Sequence, residues 1–230
     1  MRSLFVLWDI DHTLIDSGGA SRRAYAAAFQ RATGRTQEVP WQFDGRTELA
    51  AATDVLRSHG VEPDADLLAT FLDLIVAELQ DRAGEMAAEG RVLPGVTAAL
   101  AAIDAWPHAY QSVLTGNLRP LAVLKLDVFE LSRHVNVQIG AYGGDAYERA
   151  DLPPYAFERA EQLLGRRFTG ADTVIIGDTI RDVVTAKQAG ARAIGVATGS
   201  FTPAELRRAG AELVLGTLEE FPAWYQGIGG

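Results

Sequence analysis

The feature that most limits the possible folds is an apolar run near the amino terminus, Leu4-Phe5-Val6-Leu7-Trp8. A short run without polar residues predicts a strand that is buried on both faces. Strands of this kind occur in parallel sheets covered by helices on both sides. Asp9 and Asp11 follow the run directly. Because ligands bind beyond the carboxyl ends of strands in open α/β sheets, this pair of carboxylates indicates an enzyme.

The rest of the chain alternates between strand and helix patterns. Further apolar runs predict strands at 109–114, 135–139, 173–176, 193–196 and 213–215. Helical patterns lie among them, at 94–103, 118–126, 154–164 and from 179 to 189. This alternation predicts an α/β fold with a Rossmann-like three-layer core, in which helices cover both faces of a mostly parallel sheet.

The segment after the first strand has a purely helical pattern. Helices are predicted at 21–32 and 46–58, and a third follows from apolar residues at helical spacing between Leu67 and Leu79. Asp64 or Asp66 is placed to cap that third helix. No strand is predicted between 17 and 90. The sequence therefore predicts a helical insertion at 17–90 within a core formed by 1–16 and 91–230.

Composition excludes several classes of function. The 230 residues carry a formal net charge of −9 and contain no cysteine. The negative charge argues against a nucleic-acid binder, which needs a basic surface. Without cysteine there are no disulfides, thiolate nucleophiles or cysteine-ligated metals. No apolar run is long enough to span a membrane and no secretory signal pattern is present, so we expect a cytoplasmic protein.

Polar residues follow three of the predicted strands. Because parallel strands end at one edge of the sheet, we expect these side chains to converge. Several carboxylates in one pocket resist ionisation unless a cation neutralises them. Oxygen ligands without cysteine or histidine favour a hard ion, Mg²⁺. The residues concerned are Asp9 and Asp11, then Thr115 and Asn117, then Asp178 and Asp182.

Three motifs, in this order and spacing, resemble those of the haloacid dehalogenase superfamily of phosphohydrolases. A single D-x-D arises often by chance, whereas the three together are specific. The helical insertion corresponds to that family's cap, and phosphoglycolate-phosphatase-like members have a similar cap type. The resemblance implies a Mg²⁺-dependent phosphatase that acts on a small phosphorylated metabolite. The motifs are Asp9-Ile10-Asp11-His12-Thr13, Leu114-Thr115-Gly116-Asn117 and Gly177-Asp178-Thr179-Ile180-Arg181-Asp182.

The resemblance also implies the roles of the aspartates. Asp9 would be the nucleophile that forms an aspartyl-phosphate. Asp11 would protonate the leaving oxygen and then take a proton from the hydrolytic water. Asp9, the backbone carbonyl of Asp11 and Asp178 would hold Mg²⁺. Asp182 would be a further metal ligand or would orient one through a water.

The phosphate site would lie in the second motif. Thr115 and the amide of Gly116 would bind the phosphoryl oxygens, with Asn117 close by. Arg46 stands at the start of a predicted cap helix, where related enzymes contact substrate. An ordinary exposed arginine is the alternative interpretation of Arg46.

The sequence departs from the family pattern at two positions. The family has a basic residue before the last motif, normally lysine, but residues 143–149 contain none. The chain's two lysines are Lys125 and Lys187, so Arg149 is predicted to take the place of the family lysine. His12 occupies a position that is commonly glycine, where it is expected to approach the leaving group.

Three alternatives remain open. A phosphomutase would keep both aspartates and return the phosphoryl group to its substrate. A receiver module would hold the phosphoryl group on aspartate, although such modules normally lack a helical insertion. A catalytically weak binding member of the family is suggested by the missing lysine. In each case we expect a monomer or homodimer acting without nucleic acid or membrane.

Overall fold

The computed structural model describes residues 3–38 and 45–221. Within these ranges, five of the strands form one sheet in the order β4–β1–β5–β6–β7, and each neighbouring pair is parallel. The other two, β2 and β3, pair with each other in antiparallel orientation. The strands are β1 (Leu4–Trp8), β2 (Ile15–Asp16), β3 (Arg91–Val92), β4 (Ala109–Val113), β5 (Thr173–Gly177), β6 (Arg192–Val196) and β7 (Leu213–Leu215).

Helices fill most of the intervals between these strands. Among the described residues, no helix is both long enough and apolar enough to cross a membrane. The helices are α1 (Ala20–Thr33), α2 (Glu48–Ser58), α3 (Ala65–Asp81), α4 (Ala83–Glu89), α5 (Val96–Asp104), α6 (Arg119–Val128), α7 (Pro153–Leu164), α8 (Ile180–Gln188) and α9 (Pro203–Ala209).

Strand β1 lies inside the sheet, and its side chains alternate between two hydrophobic clusters. Val6 and Trp8 pack with α5 on one face. Phe5 and Leu7 pack with α7 and α8 on the other face. Because both faces are covered, every position of the strand except its first is apolar and buried. The predicted α/β class with a three-layer core is confirmed.

The predicted strand at 135–139 is wrong. The Asn136 side chain accepts a hydrogen bond from the amide of Gln138 at 3.0 Å, and its carbonyl accepts one from Ile139 at 3.2 Å. These local bonds form a turn, which removes the groups that a ladder would need. The segment nevertheless follows β4, because the amide of Ala141 donates to the carbonyl of Val113 at 2.9 Å. Helices α4 and α9 and the β2–β3 pair were not predicted.

Helices α1 to α4 lie between β2 and β3, and residues 17–38 and 45–90 contain no strand. These helices share a cluster of buried side chains that includes Phe29, Phe71 and Ile75, and Leu121 of α6 joins it. The Asp64 side chain caps α3 by accepting from the amide of Leu67 at 2.8 Å. Division of the chain into a core and a cap at 17–90 stays a prediction.

Candidate active site

The carboxyl end of β1 positions Asp9. Its amide donates to the carbonyl of Ile176 at 2.8 Å, which continues the β1–β5 ladder one residue past the strand. Asp178 follows β5 in the same way, and Asp182 lies in the first turn of α8. All three side chains are buried, and each offers a ligand atom within 4.8 Å of the others. The predicted convergence of the carboxylates of Asp9, Asp178 and Asp182 is therefore observed.

The three carboxylates differ in how many contacts they already make. Both oxygens of Asp182 are engaged: one accepts from Arg149 at 2.6 Å, and the other accepts from the amide and hydroxyl of Thr179 at 3.0 and 2.6 Å. The bond from the Thr179 amide is one half of a capping box at the start of α8, in which the Asp182 amide donates to the Thr179 hydroxyl. Asp178 accepts one side-chain hydrogen bond, from Thr13 at 3.2 Å. The contacts of Asp182 favour its predicted role as a residue that orients a metal ligand.

Arg149 lies beside the predicted nucleophile. Its guanidinium is 2.9 Å from Asp9 and 2.6 Å from Asp182, and it also donates to the carbonyl of Leu114 at 3.2 Å. The residue begins a short 3₁₀ turn before α7 and is buried. Arg149 therefore lies next to Asp9, and its substitution for the family lysine stays a prediction. Both carboxylates contact the same guanidinium nitrogen, Nη2.

One guanidinium does not neutralise this group of carboxylates. Burial raises the pKa of Asp9 to about 6, since the charge of Arg149 only partly opposes it and Asp182 adds to it. Burial and the charges of Asp9 and Asp182 raise the pKa of Asp178 well above its usual range. Full ionisation of three carboxylates beside one arginine leaves two negative charges unbalanced. An all-oxygen site with this deficit fits a hard divalent cation such as Mg²⁺.

Asp11 has different surroundings from Asp9. Its two oxygens accept from Lys125 Nζ at 2.8 and 2.7 Å, and one of them also accepts from Asn117 Nδ2 at 2.7 Å. Burial raises the pKa of Asp11, but the charge of Lys125 and the hydrogen bonds from both residues outweigh it and lower the pKa overall. The side chain is 34% exposed. Asp11 therefore faces the opening of the site as a carboxylate.

Lys125 is a site residue that was not predicted from the sequence. Its side chain lies on α6, is 2% exposed, and donates to Asn117 Oδ1 at 2.6 Å in addition to Asp11. A signal was present, because Lys125 follows the apolar Leu121 by four residues and therefore lies on the buried face of α6. A lysine on such a face needs a buried partner.

Glu48 is a second functional candidate that was not predicted from the sequence. It is the first residue of α2, where an acidic side chain is normally an exposed partner of the helix dipole. Here the carboxylate is buried and accepts from the Tyr25 hydroxyl and the Leu118 amide. Burial raises the pKa of Glu48 to about 7, although the nearby charge of Lys125 opposes the shift.

The second motif follows β4, and binding of phosphoryl oxygens by its residues stays a prediction. Thr115 is fully buried at the end of β4, and Asn117 connects it to Asp11. A side chain at Gly116 would clash with the carbonyl of Arg46, so glycine is required by the close approach of the two backbones. The amide of Glu48 donates to the carbonyl of Gly116 at 2.9 Å. The start of α2 is therefore hydrogen-bonded to this motif.

The Arg46 side chain pairs with Asp54 of α2 and borders a cavity of about 250 Å³ that extends to Arg149. Two further cavity residues are Arg181 and Tyr147, whose carbonyl accepts from the Thr47 hydroxyl at 2.5 Å. Substrate contact by Arg46 stays a prediction.

His12 has the backbone conformation that explains why its position is commonly glycine. Its φ is 58°, in the left-handed region that residues with a Cβ rarely adopt. The amide of His12 donates to the carbonyl of Ile15 at 2.8 Å, which holds the turn. The side chain is exposed next to Asp11. Its contact with a leaving group stays a prediction.

Comparisons with known proteins identify related hydrolases and phosphatases. The family described as HAD-hydrolase-like matches residues 150–221, a range that includes Asp178 and Asp182. A probable phosphatase, IndB, of Dickeya dadantii (strain 3937) is 33% identical over 223 residues, 94% of this chain and 90% of that protein. The phosphoglycolate phosphatase (plasmid) of Cupriavidus necator is 32% identical over 134 residues, 58% of this chain and 55% of that protein. A crystal structure of a hydrolase from Pseudomonas syringae has the same fold, with a TM-score of 0.73, 19% identity and 99% of each chain covered.

Proposed function

The chain belongs to the haloacid dehalogenase-like hydrolases, and we propose on this premise that it hydrolyses small phosphate monoesters through an aspartyl-phosphate on Asp9. The observation that carries the proposal is that the two aspartates of the first motif contact different partners. Asp9 contacts Arg149 within a group of carboxylates, whereas Asp11 contacts Lys125 and Asn117. Two aspartates held by different partners can take the two separate roles of nucleophile and acid/base.

In the first step, a carboxylate oxygen of Asp9 attacks phosphorus and the ester P–O bond breaks. Asp11 gives its proton to the departing oxygen. Lys125 favours the ionised form of Asp11, but a bound phosphoryl group adds negative charge that opposes Lys125 and favours the protonated form. Arg149 steadies the Asp9 carboxylate and the charge of the transferring group.

In the second step, Asp11 takes a proton from water, and the water oxygen attacks the phosphorus of the aspartyl-phosphate. The bond between phosphorus and the Asp9 oxygen breaks, which releases inorganic phosphate and restores the carboxylate. The Thr115 hydroxyl and the Gly116 amide donate to the phosphoryl oxygens in both steps. The charge of Lys125, which lowers the pKa of Asp11, keeps Asp11 ionised, and only the ionised carboxylate can accept this proton.

Mg²⁺ is the cofactor in this proposal. Asp9, Asp178 and the Asp11 carbonyl would hold it, and Asp182 would orient a ligand while it fixes Arg149. When bound, Mg²⁺ supplies the positive charge that the buried carboxylates and the phosphoryl oxygens require.

The substrate in this proposal is a small phosphorylated metabolite in the cytoplasm, converted by a monomer or homodimer without nucleic acid or membrane. The predicted cap at 17–90 would close the site, because the start of α2 already bonds to the second motif. Closure keeps bulk water away from a reactive acyl phosphate.

A phosphate-release assay tests the proposal. The full chain is screened against phosphorylated metabolites with Mg²⁺ and with EDTA, and Asp9→Asn of equal melting temperature serves as the blank. We expect metal-dependent phosphate release that falls by about 10³-fold or more in Asp9→Asn. Transfer of the group between positions of a sugar phosphate would instead indicate a phosphomutase. A lasting phosphoryl group would indicate a receiver, and binding without turnover would indicate a catalytically weak member.

A further inference from the structure

Lys125 is a buried cation that no motif of the site requires. It extends from the apolar face of α6, and its side chain is 2% exposed. Removing an ammonium from water costs several kcal/mol unless close partners compensate. Its partners, Asp11 and Asn117, are both site residues. The burial of Lys125 therefore has consequences for the geometry of the site.

The three hydrogens of the Lys125 ammonium are matched by three contacts. Two hydrogen bonds from Lys125 Nζ go to the oxygens of Asp11, at 2.8 and 2.7 Å, and one goes to Asn117 Oδ1, at 2.6 Å. An ammonium donates and never accepts, so the atom of Asn117 that faces Lys125 has to be its oxygen. The amide of Asn117 therefore has one possible orientation, with its NH₂ group turned away from Lys125.

The NH₂ group of Asn117 has two acceptors. Its nitrogen is 2.7 Å from an oxygen of Asp11 and 2.8 Å from Thr115 Oγ1. Asp11 is thus held by a cation on one side and an amide on the other. Its carboxylate has no freedom to rotate without losing one of these bonds.

The Thr115 hydroxyl receives two hydrogen bonds, from Asn117 Nδ2 at 2.8 Å and from the Asn117 amide at 3.3 Å. A hydroxyl has two acceptor sites and one hydrogen, so both acceptor sites are used and the hydrogen remains. Within the described part of the chain, Thr115 Oγ1 donates to no residue. That hydrogen is available to a ligand at the end of β4.

We propose that Lys125 is a positioning residue for the reaction proposed above. It fixes the Asp11 carboxylate directly and, by orienting the Asn117 amide, reserves the Thr115 hydroxyl hydrogen for a phosphoryl oxygen. The inference rests on the proposed function. It assigns to one side chain on α6 the alignment of both the acid/base and a phosphate donor.

Substrates with different leaving groups test the two parts of this proposal separately. The alkoxide released from an alkyl phosphate needs a proton, whereas 4-nitrophenyl phosphate releases 4-nitrophenolate, a stable anion that needs none. Lys125→Met should lower kcat/KM by about 100-fold for the best alkyl phosphate of the screen, as expected when a general acid is misaligned. For 4-nitrophenyl phosphate the loss should be about tenfold, and the inhibition constant of inorganic phosphate should rise about tenfold.

The chain provides a matched control and a rescue. Lys187, its other lysine, is exposed on α8, and Lys187→Met should leave all three values unchanged. Because the chain has no cysteine, Lys125→Cys can be alkylated at one site with 2-bromoethylamine in denaturant and refolded. This restores an ammonium at nearly the original length. The alkyl-to-aryl ratio of kcat/KM should return to that of unsubstituted protein refolded in the same way.

Equal losses for both substrates with no change in phosphate inhibition would overturn the proposal, because a purely structural lysine predicts that result. If Lys125→Met does not fold, the Asn117→Ala variant tests the proposal instead, because it keeps Lys125 and removes the side chain that connects Lys125 to Thr115. The inhibition constant of phosphate should then rise about tenfold, and an unchanged constant contradicts the proposal. An unsubstituted chain that fails to release phosphate instead refutes the proposed function.

Discussion

Two buried cations hold the two aspartates of the first motif, and each lowers the pKa of its aspartate, yet the net shifts of the two aspartates have opposite signs. Arg149 is shared between Asp9 and Asp182, with Asp178 close by, and the pKa of Asp9 is still raised to about 6 by burial. Lys125 pairs with one carboxylate, and the pKa of Asp11 is lowered despite burial. A shared cation leaves negative charge for a metal to balance. A cation paired with one carboxylate fixes its orientation instead.

Removing the shared cation should have the largest effect. We predict that Arg149→Met lowers kcat of phosphate release by about 10³-fold, since charge stabilisation next to the nucleophile is lost. It should also lower the free energy of unfolding by about 3–5 kcal/mol, because buried carboxylates are left unpaired. Steady-state kinetics and urea titration measure the two effects. Arg207→Met on the surface of α9 is the control, and equal kcat for both variants would contradict the role of Arg149.

Asp9, Asp178 and Asp182 carry more negative charge than Arg149 balances, and removing the carboxylate of Asp178 should reveal this excess. The raised pKa of Asp178 means that its ionisation destabilises the metal-free fold at neutral pH. Asp178→Asn should therefore melt at a higher temperature than the unsubstituted chain in EDTA. With Mg²⁺ at 100 times its dissociation constant, only the unsubstituted chain should gain about 2.7 kcal/mol. Calorimetry with exposed Asp73→Asn as the control tests this, and a lower melting temperature for Asp178→Asn in EDTA would refute the excess of negative charge.

Glu48, which lies near Lys125, should make the stability of the fold depend on pH. Its pKa is about 7 in the folded chain against an ordinary value of 4.5, so the folded chain binds the proton more tightly than the unfolded chain. Stability from this group is complete below about pH 4.5 and declines as the pH rises to about 7, by about 3 kcal/mol in total. Glu48→Gln should remove that decline. Urea titrations between pH 5 and 8 measure it, with exposed Glu158→Gln as the control; parallel profiles for all three proteins would disprove it.

The smallest effect should come from the turn that carries Asp11. His12→Gly relieves a left-handed backbone and should raise the free energy of unfolding by about 1 kcal/mol at most. If the His12 side chain also contacts the leaving group, as predicted, KM for alkyl phosphates will change while phosphate inhibition does not. Thermal melts and kinetics on the same preparation separate the two effects. A destabilised variant would show that the imidazole has a structural role.

Residues that follow strands were predictable from the sequence, and residues that depend on helix packing were not. Asp9, Thr115 and Asp178 follow apolar runs, and a parallel sheet gathers the ends of its strands at one edge. Lys125 reaches Asn117 because of the way α6 packs, and Glu48 reaches the site because the start of α2 is hydrogen-bonded to Gly116. Neither orientation is encoded in a local motif.

The strand predicted at 135–139 was wrong for a related reason, because a local pattern did not show which hydrogen bonds would form. The run at 135–139 has the apolar content of a strand, but the side-chain oxygen of Asn136 captures a backbone amide and turns the chain. Apolar content indicates burial, whereas competition for hydrogen bonds decides between strand and turn.

Trapping the phosphoryl group tests the central claim most directly. The full chain with Mg²⁺ is mixed with its best substrate, quenched in acid within milliseconds, and reduced with borohydride, which converts an acyl phosphate of aspartate to homoserine. Peptide mass spectrometry then locates the change. The account predicts homoserine at position 9 and an unmodified Asp11. Phosphate release without reduction at position 9, or reduction at Asp11 or Asp178 instead, would contradict the assignment of Asp9 as the nucleophile.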